Sequence, residues 1–187
     1  MHRTFGRAPR ILTLPDLHLL DGVVAPEILH AMRAASAQLS AAGIRHGLAG
    51  ALAVGAHGYP RATKDVDFLV GDEAFEHHKG GIVSIAPGVP IRINQVAIDP
   101  ISIIPSERHL DADLNRVEVT GGIPVLPVEA LIYLKLTSPR KRDAADVVEL
   151  IKCGIDEDAM RQYLRQNAPN LMDRFEDLVV AASAEED

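Results

Sequence analysis

The chain has almost no cysteine: Cys153 is the only one in 187 residues. That excludes an internal disulfide framework, and with no ligand-spaced partner it argues against a thiolate metal site; a core-packing role is expected for it, and a reducing, cytoplasmic setting for the protein. Long apolar runs are also missing. The opening "MHRTFGRAPRILTLPDLHLL" is broken by charges and prolines, so neither a signal peptide nor a membrane span is expected. Positive charge is in deficit as well, with 19 Lys and Arg against 26 Asp and Glu and a formal net charge of -7. This argues against unspecific wrapping of nucleic acid, while a local basic cluster could still hold a phosphate. Eight histidines lack metal-ligand spacing, His77-His78 being merely adjacent, and are read as surface residues. Internal repeats are absent, and the acidic end "AEED" is read as a solvated terminus.

What is present suits one folded unit. Apolar residues make up 47% and charged residues 24%, the usage of ordinary globular chains. Residues 1–24 read as an extension with an apolar patch at "LHLL". Pro26 should start a helix to about Ala42, with Ile28, Leu29, Met32 and Leu39 on one face and Gly43 as its stop. "IRHGLA" reads as a short strand, "GALAVGAHG" as a glycine-opened short helix, and "KDVDFLVG" as a strand. "GIVSIA", "IRINQVAIDPISII", "RVEV" and "IPVL" supply further strands of a mixed sheet. From Pro127 the pattern turns helical, so the division expected is a sheet core over 1–126 and a helical subdomain over 127–187 packed on it. The fold class is α/β (α+β), a small mixed sheet with flanking helices.

The chemistry centres on Asp65 and Asp67. Period two puts both on one strand face, where two carboxylates withdrawn from water cost several kcal/mol unless a cation or donors compensate. Mg²⁺ takes one or two carboxylates with phosphate oxygens and water. The glycine-opened turn before the strand would let backbone N–H groups approach a phosphate tail. Asp99 follows Val96 and Ile98 in alternation, so it points away from the face those residues bury and is a third candidate carboxylate; Glu118 is the second choice. On a solvated face an Asp-x-Asp pair would mean nothing, and Asp99 could simply form a turn before Pro100. Lys135 could be a snorkelling lysine at a helix edge. Arg140, Lys141 and Arg142 read either as a charged corner between helices or as contacts to a phosphate or the acceptor.

The segment "GLAGALAVGAHGYPRATKDVDFLV" resembles the signature of the DNA polymerase β-like nucleotidyltransferase superfamily: Gly-Gly or Gly-Ser, a spacer, then Asp-x-Asp. Here Gly50-Ala51 and thirteen further residues precede Asp65-Val66-Asp67. Arg61-Ala62-Thr63, and "LPVEALIYLKLTSPRKRDAADVVELI" with its Leu-Lys-Leu and Arg-Asp-x-x-Asp runs, are similar to the small AbiEii-like branch known from toxin-antitoxin systems. The matches span about residues 45 to 152. The resemblance implies Asp65, Asp67 and Asp99 as catalytic metal ligands for Mg²⁺ or Mn²⁺, with Asp99 also the base. It implies Gly50, Ala51, Arg61, Thr63 and Lys135 around a nucleoside triphosphate, with Asp143 and Asp146 orienting either Lys135 or the acceptor. The implied activity is transfer of a nucleoside monophosphate to a hydroxyl of RNA, protein or a small molecule. Ala51 departs from the pattern and removes a hydroxyl. It supports the alternative of a catalytically silent binding or regulatory protein with a protein partner; a metal-dependent phosphohydrolase is a third reading.

Overall fold

Pro26 opens the first long helix because its missing N–H falls where a helix has no partner for one. In the computed structural model, which describes residues 14–185, α1 runs Pro26–Ala41 and buries Ile28, Leu29, Met32, Ala35 and Leu39. Gly43, at φ +71°, then turns the chain in a backbone region that costs glycine little. Ahead of α1 a 3₁₀ turn, Leu17–Leu20, buries Leu17 and Leu20, so the apolar patch of the opening extension is an anchor. The rest of that extension, residues 1–13, and the last two residues of the acidic end lie outside the described residues.

The chain continues through β1 (His46–Leu48), α2 (Gly50–Ala56) and β2 (Asp65–Val70). After β2 come the hairpin β3 (Phe75–His77) and β4 (Val83–Ile85), then β5 (Arg92–Ile93), β6 (Val96–Ile101), α3 (His109–Leu114), β7 (Glu118–Thr120) and β8 (Ile123–Val125). Four helices close the described chain: α4 (Val128–Thr137), α5 (Lys141–Lys152), α6 (Glu157–Asn167) and α7 (Met172–Ala184).

Six strands form one mixed sheet in the order β5-β6-β2-β1-β8-β7. The pairs β2/β6 and β1/β8 are parallel, and the other neighbours are antiparallel. Gly121 and Gly122 both take positive φ, +54° and +79°, which is what a tight hairpin turn between β7 and β8 requires. Two strand expectations need correction. "GIVSIA" contributes β4, which pairs only with β3 and stands outside the main sheet. "IRINQVAIDPISII" is not continuous: Asn94, at φ +54°, folds it into the β5/β6 hairpin. The short helix α3 follows no pattern that the sequence reading used.

One apolar cluster joins both parts of the chain, from Leu17 to Ala182. It takes Val66, Phe68 and Ile98 from the sheet and Leu131, Ile132, Val147, Leu150 and Phe175 from the helices. Helix α4 is buried on nearly every side, as a helix apolar all round must be. Its position between the sheet and α5 decides the environment of its one lysine. Among the described residues no helix is long and apolar enough to cross a membrane.

Candidate active site

The strand pair β2/β6 builds the acidic wall. Val66 and Phe68 are fully buried on one face of β2, which turns Asp65 and Asp67 to the other. The parallel register sets Asp67 directly opposite Asp99, so all three aspartates share a face. Pro100 fits this arrangement. Two residues before it, the Ile98 N–H donates to Ile91 O on the β5 side, and by Pro100 the strand β5 has ended, so the missing donor faces an open edge. Asp65 accepts a hydrogen bond from Thr63 Oγ1 at 2.6 Å.

Gly50 is explained by Asp67. It has φ +59°, and a Cβ there would collide with Asp67 Oδ2, so only glycine admits the carboxylate beside the start of α2. Ala51 follows, nearly buried and lining the same cleft. The Asp67 carboxyl is pushed up to about 6, first by burial and then by the like charges of Asp65 and Asp99, with Lys135 and Arg140 pulling it back.

The opposite wall is a closed charge network. Lys135 Nζ donates to Asp143 Oδ1 at 2.6 Å and to Asp146 Oδ2 at 2.7 Å. Arg61 grips Asp146 with two parallel bonds, Nε to Oδ1 at 2.7 Å and Nη2 to Oδ2 at 2.8 Å. Asp143 Oδ2 accepts from Ser138 Oγ and from Arg140 Nε at 2.8 Å. Burial would raise both carboxyls, yet the donors outweigh it and hold Asp143 and Asp146 below the usual carboxylate range. Asp143 and Asp146 both engage Lys135. Arg61, Lys135 and Arg140 stand against only two carboxylates, so this wall keeps an excess positive charge facing the acidic one.

The two walls enclose a cleft of about 510 Å³, a size suited to a small ligand. All the site residues predicted from the sequence line it except Asp146, which lies behind as a buttress. Ile101, Glu107, Leu131, Leu134 and Thr137 also line the cleft without having been expected there, and Arg140 and Arg142 of the basic run line it too. The leucines share a helix with Lys135, and Ile101 continues the alternation from Asp99. Glu107 carries no such signal. Glu118, the second choice for a third carboxylate, sits on β7 at the far sheet edge, beside His57 in a separate pocket. His46 also departs from expectation: it is buried and hydrogen-bonds Ser36 Oγ at 2.8 Å and Ile44 O at 2.9 Å.

Among the described residues no three His, Cys, Asp or Glu side chains form a preassembled metal cage. Mg²⁺ needs none, because phosphate oxygens and water supply most of its octahedron. Asp65, Asp67 and Asp99 present hard carboxylate oxygens, the ligand type Mg²⁺ takes, on one face of the cleft.

No protein-family model and no curated protein sequence matches the chain. Among solved structures it is similar to an antigenic nucleotidyltransferase-like protein from Paracoccidioides brasiliensis. The identity is 18%, over 86% of this chain and 94% of that chain, with a TM-score of 0.44. The chemistry of the cleft is therefore read from its own residues.

Proposed function

We propose that the protein is a metal-dependent nucleotidyltransferase that moves a nucleoside monophosphate from a triphosphate to a hydroxyl acceptor. The observation that carries this reading is the β2/β6 register, which sets Asp67 against Asp99 with Asp65 on the same face, opposite a wall of cations. Asp65 and Asp67 would hold Mg²⁺, or Mn²⁺, which when bound supplies neutralisation of phosphate charge. Asp99, the exposed member of the trio, takes the proton from the acceptor hydroxyl. The acceptor oxygen then bonds to the α-phosphorus as the bond to the bridging oxygen breaks, and pyrophosphate leaves. Lys135, fixed by Asp143 and Asp146, offsets charge on the departing pyrophosphate. Arg140 and Arg142 at the cleft meet the outer phosphates. The acceptor stays open among RNA, protein and small molecules.

The placement in the AbiEii-like branch is part of this proposal, carried by the Leu-Lys-Leu and Arg-Asp-x-x-Asp helices that meet in the Lys135 network. A catalytically silent protein acting through a protein partner is the second reading. It is favoured by Ala51, and by Arg61 and Lys135 already being bound to Asp146.

Calorimetric titration with each nucleoside triphosphate, with and without Mg²⁺, tests the proposal, followed by transfer of label from an α-labelled triphosphate. Metal-dependent binding with a labelled product is the expected result. Binding without product selects the silent reading, phosphate release without labelled product selects a phosphohydrolase, and no binding of any triphosphate removes the nucleotide reading.

A further inference from the structure

The cleft is lined by apolar residues as well as charged ones. Ile101 lies two residues beyond Asp99 on β6, and so on the same face about 7 Å away. Leu131 stands one turn before Lys135 on α4, about 6 Å along the helix. On both walls charged lining residues thus adjoin apolar ones, and a further carboxylate, Glu107, lines the same cleft.

Glu107 is held by a stack of aromatic groups. Its Oε1 accepts from the Tyr133 hydroxyl at 3.1 Å. The His109 ring meets Tyr133 edge-on at 4.5 Å and Tyr163 at 5.8 Å, and the Tyr163 hydroxyl is itself anchored on Asp113 Oδ2 at 2.6 Å. Glu107 Oε2 receives no hydrogen bond from any described residue. The result is a half-buried carboxylate lining the cleft, with one oxygen committed to Tyr133 and one free.

We propose that Glu107 is a specificity-determining residue whose free oxygen accepts a hydrogen bond from the exocyclic amino group of the nucleobase. This rests on the nucleotide reading above. An ionised carboxylate is an acceptor only. It matches the amino group of cytosine or adenine and repels the carbonyl oxygen that replaces it in uracil or hypoxanthine. The paired bases have nearly the same shape, so packing on Ile101, Leu131 and Leu134 cannot separate them. A site built around a fixed polar partner can, because the wrong base leaves that partner unsatisfied.

The test is calorimetry of the intact chain in Mg²⁺ buffer with CTP against UTP and ATP against ITP. In each pair that binds, the amino-bearing nucleotide is expected to bind at least about tenfold more tightly. Glu107→Gln, whose amide both donates and accepts, is expected to reduce the ratio to within about twofold. Equal affinities within the pairs overturn the inference without needing any variant, and so does a Glu107→Gln protein that keeps the preference. Triphosphates binding without discrimination would remove this inference alone. Failure of every triphosphate to bind would remove it together with the nucleotide reading.

Discussion

Asp67 on β2 and Asp146 on α5 are both withdrawn from water, yet one is pushed above the ordinary carboxylate range and the other is held below it. The difference lies in their neighbours. Asp146 receives three hydrogen bonds from Arg61 and Lys135, whereas Asp67 faces Asp65 and Asp99, and the cations that ease it, Lys135 and Arg140, are already bound to α5 carboxylates. Burial thus has opposite outcomes on the two walls. The helix side is a satisfied structural unit, and the strand side holds negative charge that Lys135 and Arg140 offset only in part. Local frustration of this kind singles out a candidate functional site.

The largest effect should come from breaking the satisfied side. Asp146→Ala leaves Arg61 and Lys135 facing each other with a partner gone, and a broken buried pair costs about 3–5 kcal/mol, measurable by urea unfolding at neutral pH. A loss under about 1 kcal/mol would show the network to be ornamental and dissolve the contrast. The pH dependence has a definite sign. Asp143 and Asp146 titrate lower folded than unfolded, so in that window the unfolded chain binds more protons and stability rises with pH. Their contribution is complete above the ordinary value of 3.8 and is lost as pH falls through the lowered folded values. Urea midpoints at descending acid pH should show this slope in the parent chain and a flatter one in Asp146→Ala.

On the strand side the same kind of change should have the reverse effect. Asp67→Asn removes a charge that burial and two like neighbours oppose. In metal-free buffer at neutral pH it should therefore raise stability, by up to about 3 kcal/mol, since the rise from 3.8 to about 6 corresponds to about 1.4 kcal/mol for each pKa unit. The same variant should lose metal-dependent triphosphate binding. Stability gained and ligand lost in one substitution would be the signature of a functional carboxylate, while destabilisation would make Asp67 a structural residue like Asp146.

Much of this contrast could be read from the sequence, for a physical reason. Period two alone faces Asp65 and Asp67 the same way, and alternation with Val96 and Ile98 turns Asp99 toward them only because β6 lies parallel to β2 in register. The glycine at position 50 reads as a close-approach residue, although what comes close is the Asp67 side chain. For Asp143 and Asp146 the resemblance implies Lys135 or the acceptor, whereas the bonds from Arg61 and Ser138 depend on how the helices pack and could not be read. Glu107 was silent because a three-residue 3₁₀ turn, Pro105–Glu107, has no periodicity to place it. Strand order is likewise a tertiary fact: Glu118 and Asp99 have similar strand contexts, and only the sheet puts one at the far edge and the other in the cleft.

Smaller effects sharpen the comparison at its rim. Arg142 lines the cleft and is exposed, so Arg142→Ala should leave stability within about 0.5 kcal/mol. It should weaken triphosphate binding by about 1 kcal/mol, and that deficit should shrink as salt is raised. Unchanged affinity at low salt would assign Arg142 to the solvated corner between α4 and α5.

The smallest effect concerns Ala51, the residue that departs from the motif. Its side chain is nearly buried and lines the cleft beside Gly50, so a hydroxyl there would have little besides a bound phosphate oxygen to seek. Ala51→Ser should tighten triphosphate binding toward the lower end of the about 0.5–1.5 kcal/mol that a neutral hydrogen bond contributes, because ordering the hydroxyl takes back part of the gain. Titrating both chains with the same triphosphate in Mg²⁺ measures it. A gain of about two- to fourfold in affinity would mean that the cleft still presents its glycine turn to phosphate. Weaker binding by the serine variant would mean that the space beside Gly50 is reserved for the Asp67 carboxylate, and that the turn supports the acidic wall without touching nucleotide at all.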